Sequence, residues 1–232
     1  MELTVVARLR SPYGSKFGVP RQSGLAPAVE SRLVFEPPFR SRDCLRGIEG
    51  FSHLWLIWQF SGNADRGWSP TVRPPRLGGN RRMGVFATRS PFRPNPLGLS
   101  CVRLLGVEWD TPEGPVLRLG GADLTDGTPV YDIKPYLPYA DSVPEAAGGF
   151  TLGEAPEKKP VLCPEKIKAV LSPGEWLALE ESLALDPRPS YQRDQERVYG
   201  FPFGGREVRF RALEDGIQVL SIGEKTEKGE GT

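Results

Sequence analysis

The sequence predicts a mainly β protein: a compact barrel or sandwich followed by a small α+β C-terminal part. Three observations carry that expectation. Glycine and proline account for 27 and 24 of the 232 residues, and without low-complexity repeats such a share marks turns and short strands, because proline breaks regular helix. Short apolar runs bounded by turn residues recur up to about Asp141. The one well-capped helical pattern comes late, beyond a stretch of small and acidic residues.

Taken in order, "LTVVARL" reads as a strand and "SPYGSKFGVPRQSGLAP" as a long loop rich in turn formers. "SRLVFEP" is a second strand. The run Leu54–Phe60 in "GFSHLWLIWQF" has the length of a fully buried strand. "GVFAT", "LSCVRLLGVEW" and "GPVLRLGGADL" continue the pattern, and "TDGTPVYDIKPYLPYADS" closes the β-rich unit, residues 1–142. Residues 143–160 are a linker, small and acidic in composition. In the C-terminal unit, 161–232, Ser172 caps a helix with Pro173 in its first turn. Glu175 completes a capping box, and Trp176, Leu179 and Leu183 share a face. "EVRFRALEDGIQVLSI" then reads as a hairpin turning at "EDG", and the polar tail "GEKTEKGEGT" as frayed.

Composition excludes several classes. No apolar segment has signal-peptide length or the roughly 20 residues of a membrane span, so the expected location is the cytoplasm. Cys44, Cys101 and Cys163 are too sparse for a disulfide framework or a zinc site and read as reduced, mostly buried residues. The lone histidine, His53, rules out a histidine metal centre and reads as a hydrogen-bonded ring at the start of a buried strand. No nucleophile elbow, P-loop or GxGxxG fingerprint is present. Net charge is +1, yet all eight charged residues from Arg66 to Arg103 are arginines. Such a local field can dock a polyanion over a screening length of roughly 10 Å.

Three loops carry polar chemistry. In "RSPFRPNPLG" prolines fix the backbone from which Arg89 and Arg93 extend, which suits guanidinium groups to phosphate or carboxylate at low entropic cost. In "GADLTDGTPV" Asp123 and Asp126 flank a turn, and in "DIKPYLPY" Asp132, Lys134 and Tyr136 alternate along one side of an extended segment. These residues leave three readings open: an RNA-modifying enzyme, a non-catalytic RNA-binding barrel, or an enzyme for a small anionic substrate.

The blocks "SPYGSKFGVPRQSGL", "GFSHLWLIWQF", "RPPRLGGNRRMGVFATRSPFRPNPLGLS", "DLTDGTPVYDIKPYLPYADS" and "DPRPSY" together resemble the TsaA-like family, whose bacterial members include a tRNA adenine methyltransferase. The resemblance implies a β-barrel catalytic domain that binds S-adenosylmethionine without a Rossmann fingerprint, followed by a small α+β domain. It implies methylation of the exocyclic amine of threonylcarbamoyl-adenosine beside the anticodon of threonine tRNA, by a homodimer with the cofactor site near the subunit contact and with no metal. Carried over by motif, the cofactor residues are Ser23, Gly24, Leu25, Ser61, Gly62, Arg89, Leu99, Asp123, Leu124, Thr125 and Asp126. Asn95 and the Pro96 carbonyl are expected to accept from the reacting amine, with Asp132, Lys134 and Tyr136 shaping the pocket. Arg76, Arg81, Arg82 and Arg93 are assigned to tRNA phosphates.

Overall fold

The structure is a computed structural model that describes residues 2–62, 67–151, 156–188, 192 and 194–224. Arg66, the end of "DPRPSY", residues 152–155 and the tail beyond Glu224 lie outside the described residues.

Six antiparallel strands build the first unit: β1 (Ala7–Arg10), β2 (Glu30–Phe35), β3 (His53–Gln59), β6 (Leu97–Glu108), β7 (Val116–Gly120) and β8 (Pro129–Pro135). Their hydrogen-bonded order is β1-β2-β7-β6-β3-β8, and β8 pairs back onto β1, so the sheet closes into a barrel rather than a sandwich. The mainly β expectation holds. The twelve-residue β6 makes closure possible by pairing with β3 over Leu97–Arg103 and with β7 over Arg103–Glu108, with a register shift between Leu104 and Gly106. Such an irregularity increases local twist and lets one strand serve two neighbours at different angles.

Several expectations need correction. β3 is not fully buried: Leu54, Leu56 and Trp58 point into the barrel while His53, Trp55, Ile57 and Gln59 remain half-exposed. An antiparallel barrel with a single core buries only one face of a strand. "LTVVARL" forms strand only from Ala7, where its partners on β2 and β8 begin. "GVFAT" is not a strand either. A two-residue ladder between β4 (Thr71–Val72) and β5 (Met83–Gly84) ends in a 3-10 turn at Val85–Ala87. Cys44 is exposed and the other two cysteines half-buried.

After the short helix α1 (Pro138–Asp141) and a connection that is exposed over 142–149, the C-terminal unit opens with β9 (Val161–Leu162) and α2 (Glu165–Lys168). Helix α3 (Pro173–Ala184) carries the expected capping box and buries Trp176, Leu179 and Leu183. It covers a second sheet, ordered β10-β11-β12-β9, whose first three strands are β10 (Val198–Phe203), β11 (Arg206–Ala212) and β12 (Ile217–Glu224).

The second core is not assembled from the C-terminal residues alone. The loop joining β1 to β2 supplies Tyr13, Ala26 and Val29 to it, with Phe17 and Val19 packed alongside. Tyr13 is fully buried, its ring lies edge-on to Phe203 at 5.5 Å, and its hydroxyl meets Ser182 Oγ at 2.7 Å. Ser182 spends its own proton on the Ala178 carbonyl, which makes Tyr13 the donor. Burial pushes the phenol far above its usual range, so it stays protonated. Backbone bonds run from Gly14 to the Pro202 carbonyl and from Gly204 to the Pro12 carbonyl, and the Ala28 N–H donates to Glu181 Oε2 at 2.7 Å. Each large side chain buried here contributes roughly 1.5–3 kcal/mol.

Gly18 lies within this dock at φ +97°, and an added Cβ would stand 2.3 Å from the Phe201 ring. Gly18→Ala should therefore lose about 2 kcal/mol or more in chemical denaturation, from strained backbone and an overfilled core together. Gly50→Ala, with open space at the corresponding position, should stay near wild type.

Candidate functional site

A cleft of about 460 Å³ opens at one end of the barrel. Its walls come from the β1–β2 loop (Lys16 and residues 19–22), the end of β3 with the segment to Gly62, the arginine loop at Thr88–Arg93, the start of β6, and the turn at Asp123–Thr128. A volume of this size suits a nucleoside-sized ligand.

The floor is built around one indole. Trp58 faces Gly98 across the β3–β6 ladder, and a Cβ on Gly98 would fall 2.3 Å from the Trp58 ring. Glycine is thus what lets the ring lie flat across β6, and Phe60 closes on it edge-on at 4.4 Å. Trp58 Nε1 donates to Ser100 Oγ at 3.0 Å, and Ser100 donates to Asp123 Oδ1 at 2.5 Å. This chain fixes the carboxylate. Burial raises the Asp123 carboxyl above its usual range, while the Ser100 hydroxyl, its own and Ser23's backbone N–H and the Arg89 charge pull the other way.

Cations gather at the cleft mouth. Arg89 donates to the Gln22 side-chain carbonyl, and Lys16 Nζ reaches the Gly62 carbonyl at 2.8 Å. Arg21 joins them on the lining and donates to the Arg188 carbonyl at 3.3 Å. A half-buried carboxylate, convergent cations and an aromatic wall form a donor set suited to a ligand carrying a carboxylate, hydroxyl groups and an adenine ring.

Of the residues expected at the cofactor site, Ser61, Gly62, Arg89, Leu99, Asp123, Leu124 and Thr125 line the cleft. Ser23 acts from behind through its N–H to Asp123. Gly24 donates to the Gly121 carbonyl, Leu25 lines a separate 170 Å³ hollow with Arg21 and Asp186, and exposed Asp126 accepts from the Ser11 N–H at 3.0 Å. Asn95 is exposed beside the cleft. Its carbonyl accepts from Leu97, and the neighbouring Pro96 carbonyl accepts from the Phe60 N–H at 2.8 Å.

Asp132 and Lys134 pair with each other at 3.0 Å on β8, opposite Ile57 and Trp55 of β3, and the Tyr136 ring lies near those of His53 and Trp55. They sit on the barrel's outer face beside Trp55 and do not line the cleft. Arg81 is exposed, and Arg82 donates to Thr71 Oγ1 across the β4–β5 hairpin. Arg93 turns inward: its guanidinium donates to the Val85 and Thr88 carbonyls at 3.3 and 2.7 Å. The Arg76 side chain lies outside the described part of the structure. Sequence reasoning missed Lys16, Arg21, Gln22, Trp58 and Ser100; all five stand in quoted blocks, but Trp58 and Ser100 looked like ordinary strand residues.

Such a cleft at the end of a closed barrel, with no phosphate loop and with one wall held by a second unit, defines a non-Rossmann ligand-binding protein of two parts. The chain belongs to the tRNA-methyltransferase O family: the family's N-terminal domain matches residues 8–142 and its C-terminal domain residues 172–225. It is 45% identical over 222 residues to the tRNA (adenine(37)-N6)-methyltransferase of Escherichia coli, covering 92% of this chain and 94% of that one. A relative of the same name from Eikenella corrodens is 52% identical over 170 residues, or 73% and 95% of the two chains. A crystal structure of TrmO from Pseudomonas aeruginosa superposes with a TM-score of 0.76 at 34% identity over 96% of this chain and 98% of that one.

A carboxyl held above its unfolded value of 3.8 favours the fold at low pH and loses that contribution as pH rises through the folded value. Asp123→Asn keeps the acceptor for Ser100 without the buried charge. Its stability relative to wild type should rise between about pH 3 and neutrality in urea titrations, and a pH-independent difference would contradict the assigned burial.

Proposed function

We propose that this protein is an S-adenosylmethionine-dependent methyltransferase acting on the exocyclic amine of adenine 37 in tRNA, the activity named for its Escherichia coli relative. The observation that carries the reading is the cleft itself, where Asp123, fixed by Ser100 and Trp58, faces Arg89, Lys16 and Arg21 in a chain of this family. The carboxylate suits ribose hydroxyls, the cations a methionine carboxylate, and the Trp55, Trp58 and Phe60 faces an adenine ring.

When bound, S-adenosylmethionine supplies an electrophilic methyl on a sulfonium. The remaining tasks fall to the protein. Methyl transfer to nitrogen is governed by in-line positioning and by a route for the amine proton. The Pro96 carbonyl is oriented by the Phe60 N–H and keeps a second lone pair free to accept. Asn95 beside it is exposed and can accept from the same amine. Asp132, Lys134 and Tyr136 bound the approach along the outer face of β3 and β8.

Residues 1–142 form the catalytic domain in this reading, 143–160 the connection and 161–232 the C-terminal domain. The substrate carries the threonylcarbamoyl group and is threonine tRNA, and the working form is a cytoplasmic homodimer. Leu99, 55% exposed at the cleft mouth, is an apolar residue suited to a subunit contact there. Among the described residues, no helix is long and apolar enough to cross a membrane and no group of side chains is arranged to hold a metal.

Incubation with labelled S-adenosylmethionine and tRNA, followed by nucleoside mass spectrometry, should yield N6-methylated adenine at position 37. Binding of both ligands without transfer would instead identify a non-catalytic barrel. Asn95→Ala should lower kcat on the order of 100-fold with cofactor affinity by calorimetry unchanged; undiminished turnover removes Asn95 from the mechanism. Arg89→Ala should weaken cofactor binding roughly ten-fold or more, as loss of a charge-assisted contact does, with partial recovery in Arg89→Lys.

A further inference from the structure

The arginine loop belongs to a lobe that displays two large aromatic side chains. Phe86 is 77% exposed and Trp68 57% exposed. Neither position results from a loose segment. Val85 is buried, its N–H donates to the Pro70 carbonyl, and its carbonyl accepts from both the N–H and the hydroxyl of Thr88. Arg93 clamps the same turn through the Val85 and Thr88 carbonyls and places its guanidinium 5.8 Å from the Phe86 ring centroid. On the other flank, the Ser69 N–H donates to the Phe92 carbonyl, tying the Trp68 segment to the loop. The lobe is fixed, and Thr88, Arg89, Pro91 and Arg93 carry it into the wall of the cleft.

We infer that Phe86, assisted by Trp68, is a stacking platform for an unpaired base of single-stranded RNA adjacent to the nucleotide that enters the cleft. The inference rests on the RNA methyltransferase reading above. Proteins that hold single-stranded RNA combine a cationic track for phosphates with exposed aromatic rings on which bases stack. Both are present here: from Arg73 to Arg103 the chain has arginines and no acidic residue, and the rings stand among them. A second copy of the chain fits this surface less well. Across a two-fold axis a patch meets itself, and an arginine-only patch would meet its own charge. The Arg93 clamp also refines the assignment of that side chain, which displays the platform instead of binding phosphate.

The test compares Phe86→Ala, Phe86→Leu and Phe86→Tyr with wild type for tRNA affinity over a salt series, for S-adenosylmethionine affinity, and for sedimentation. Phe86→Ala and Phe86→Leu should weaken tRNA binding about ten-fold. Phe86→Tyr should stay near wild type, and cofactor affinity should not move. The salt slope should be unchanged in all three, because stacking releases no counterions. Equal affinity for Phe86→Ala and wild type overturns the platform, as does wild-type tRNA affinity of Phe86→Leu, which would reduce the contact to mere hydrophobic cover. A switch of Phe86→Ala from dimer to monomer with unchanged RNA affinity per subunit assigns the ring to self-association and likewise overturns it. A wild-type chain that neither binds nor methylates tRNA would defeat the functional reading itself, a separate outcome.

Discussion

The structure depends on the docking of the β1–β2 loop into the C-terminal core. That loop has no regular structure of its own, yet it carries Lys16, Arg21 and Gln22 to the cleft and aims the Ser23 N–H at Asp123. An unsupported segment of this length would place those groups only on average, and ordering it within the binding step would subtract directly from affinity. The Tyr13–Ser182 hydrogen bond and the stacking of Phe17 against Tyr199 and Phe210 supply that order before any ligand arrives. The C-terminal unit thereby shapes a cleft to which, among the described residues, it contributes no lining side chain.

Within the cleft, stability and function oppose each other at one residue. Asp123 sits where burial disfavours its charge, and the contacts that offset this, from Ser100, Ser23 and Arg89, come from three separate parts of the chain. A carboxylate held by three converging segments cannot relax toward solvent. It is therefore available to a cationic or hydroxyl-bearing ligand at little reorganisation cost, the usual reason for keeping an unfavourable group at a site.

Much of this was legible in the sequence where local chemistry decides the outcome. The Ser172–Glu175 capping box, the hairpin turning before Ile217 and the chemistry of the Asp123 turn need only neighbouring residues to be read. What escaped depends on partners distant in the chain. "VYGFPF", with Gly200 and Pro202 breaking its pattern, carries no strand expectation from sequence, but it forms β10 at the edge of its sheet, where proline is tolerated. Tyr13 pairs with that edge at Phe203, and no spacing rule could link residues so far apart. Trp58 and Ser100 were hidden for a different reason. Their side chains belong to an apolar strand pattern, and only the β3–β6 register brings them into line with Asp123.

The mixture of proline, glycine and arginine in the loop before β6 now has a division of labour. Prolines cannot donate hydrogen bonds, so a segment rich in them must be held by other groups. Arg93 takes that part, with its donors on two backbone carbonyls of the same turn. Because the brace is itself cationic, rigidity comes without an acidic partner that would neutralise the surrounding field, and Arg89 keeps its charge directed at the cleft. Both bonds leave from one nitrogen, Nη1, and the same planar guanidinium lies 5.8 Å from the Phe86 ring centroid. Holding the loop and preserving its positive potential are thus met by one side chain, which explains how a surface meant for a polyanion can be stiff and wholly basic together.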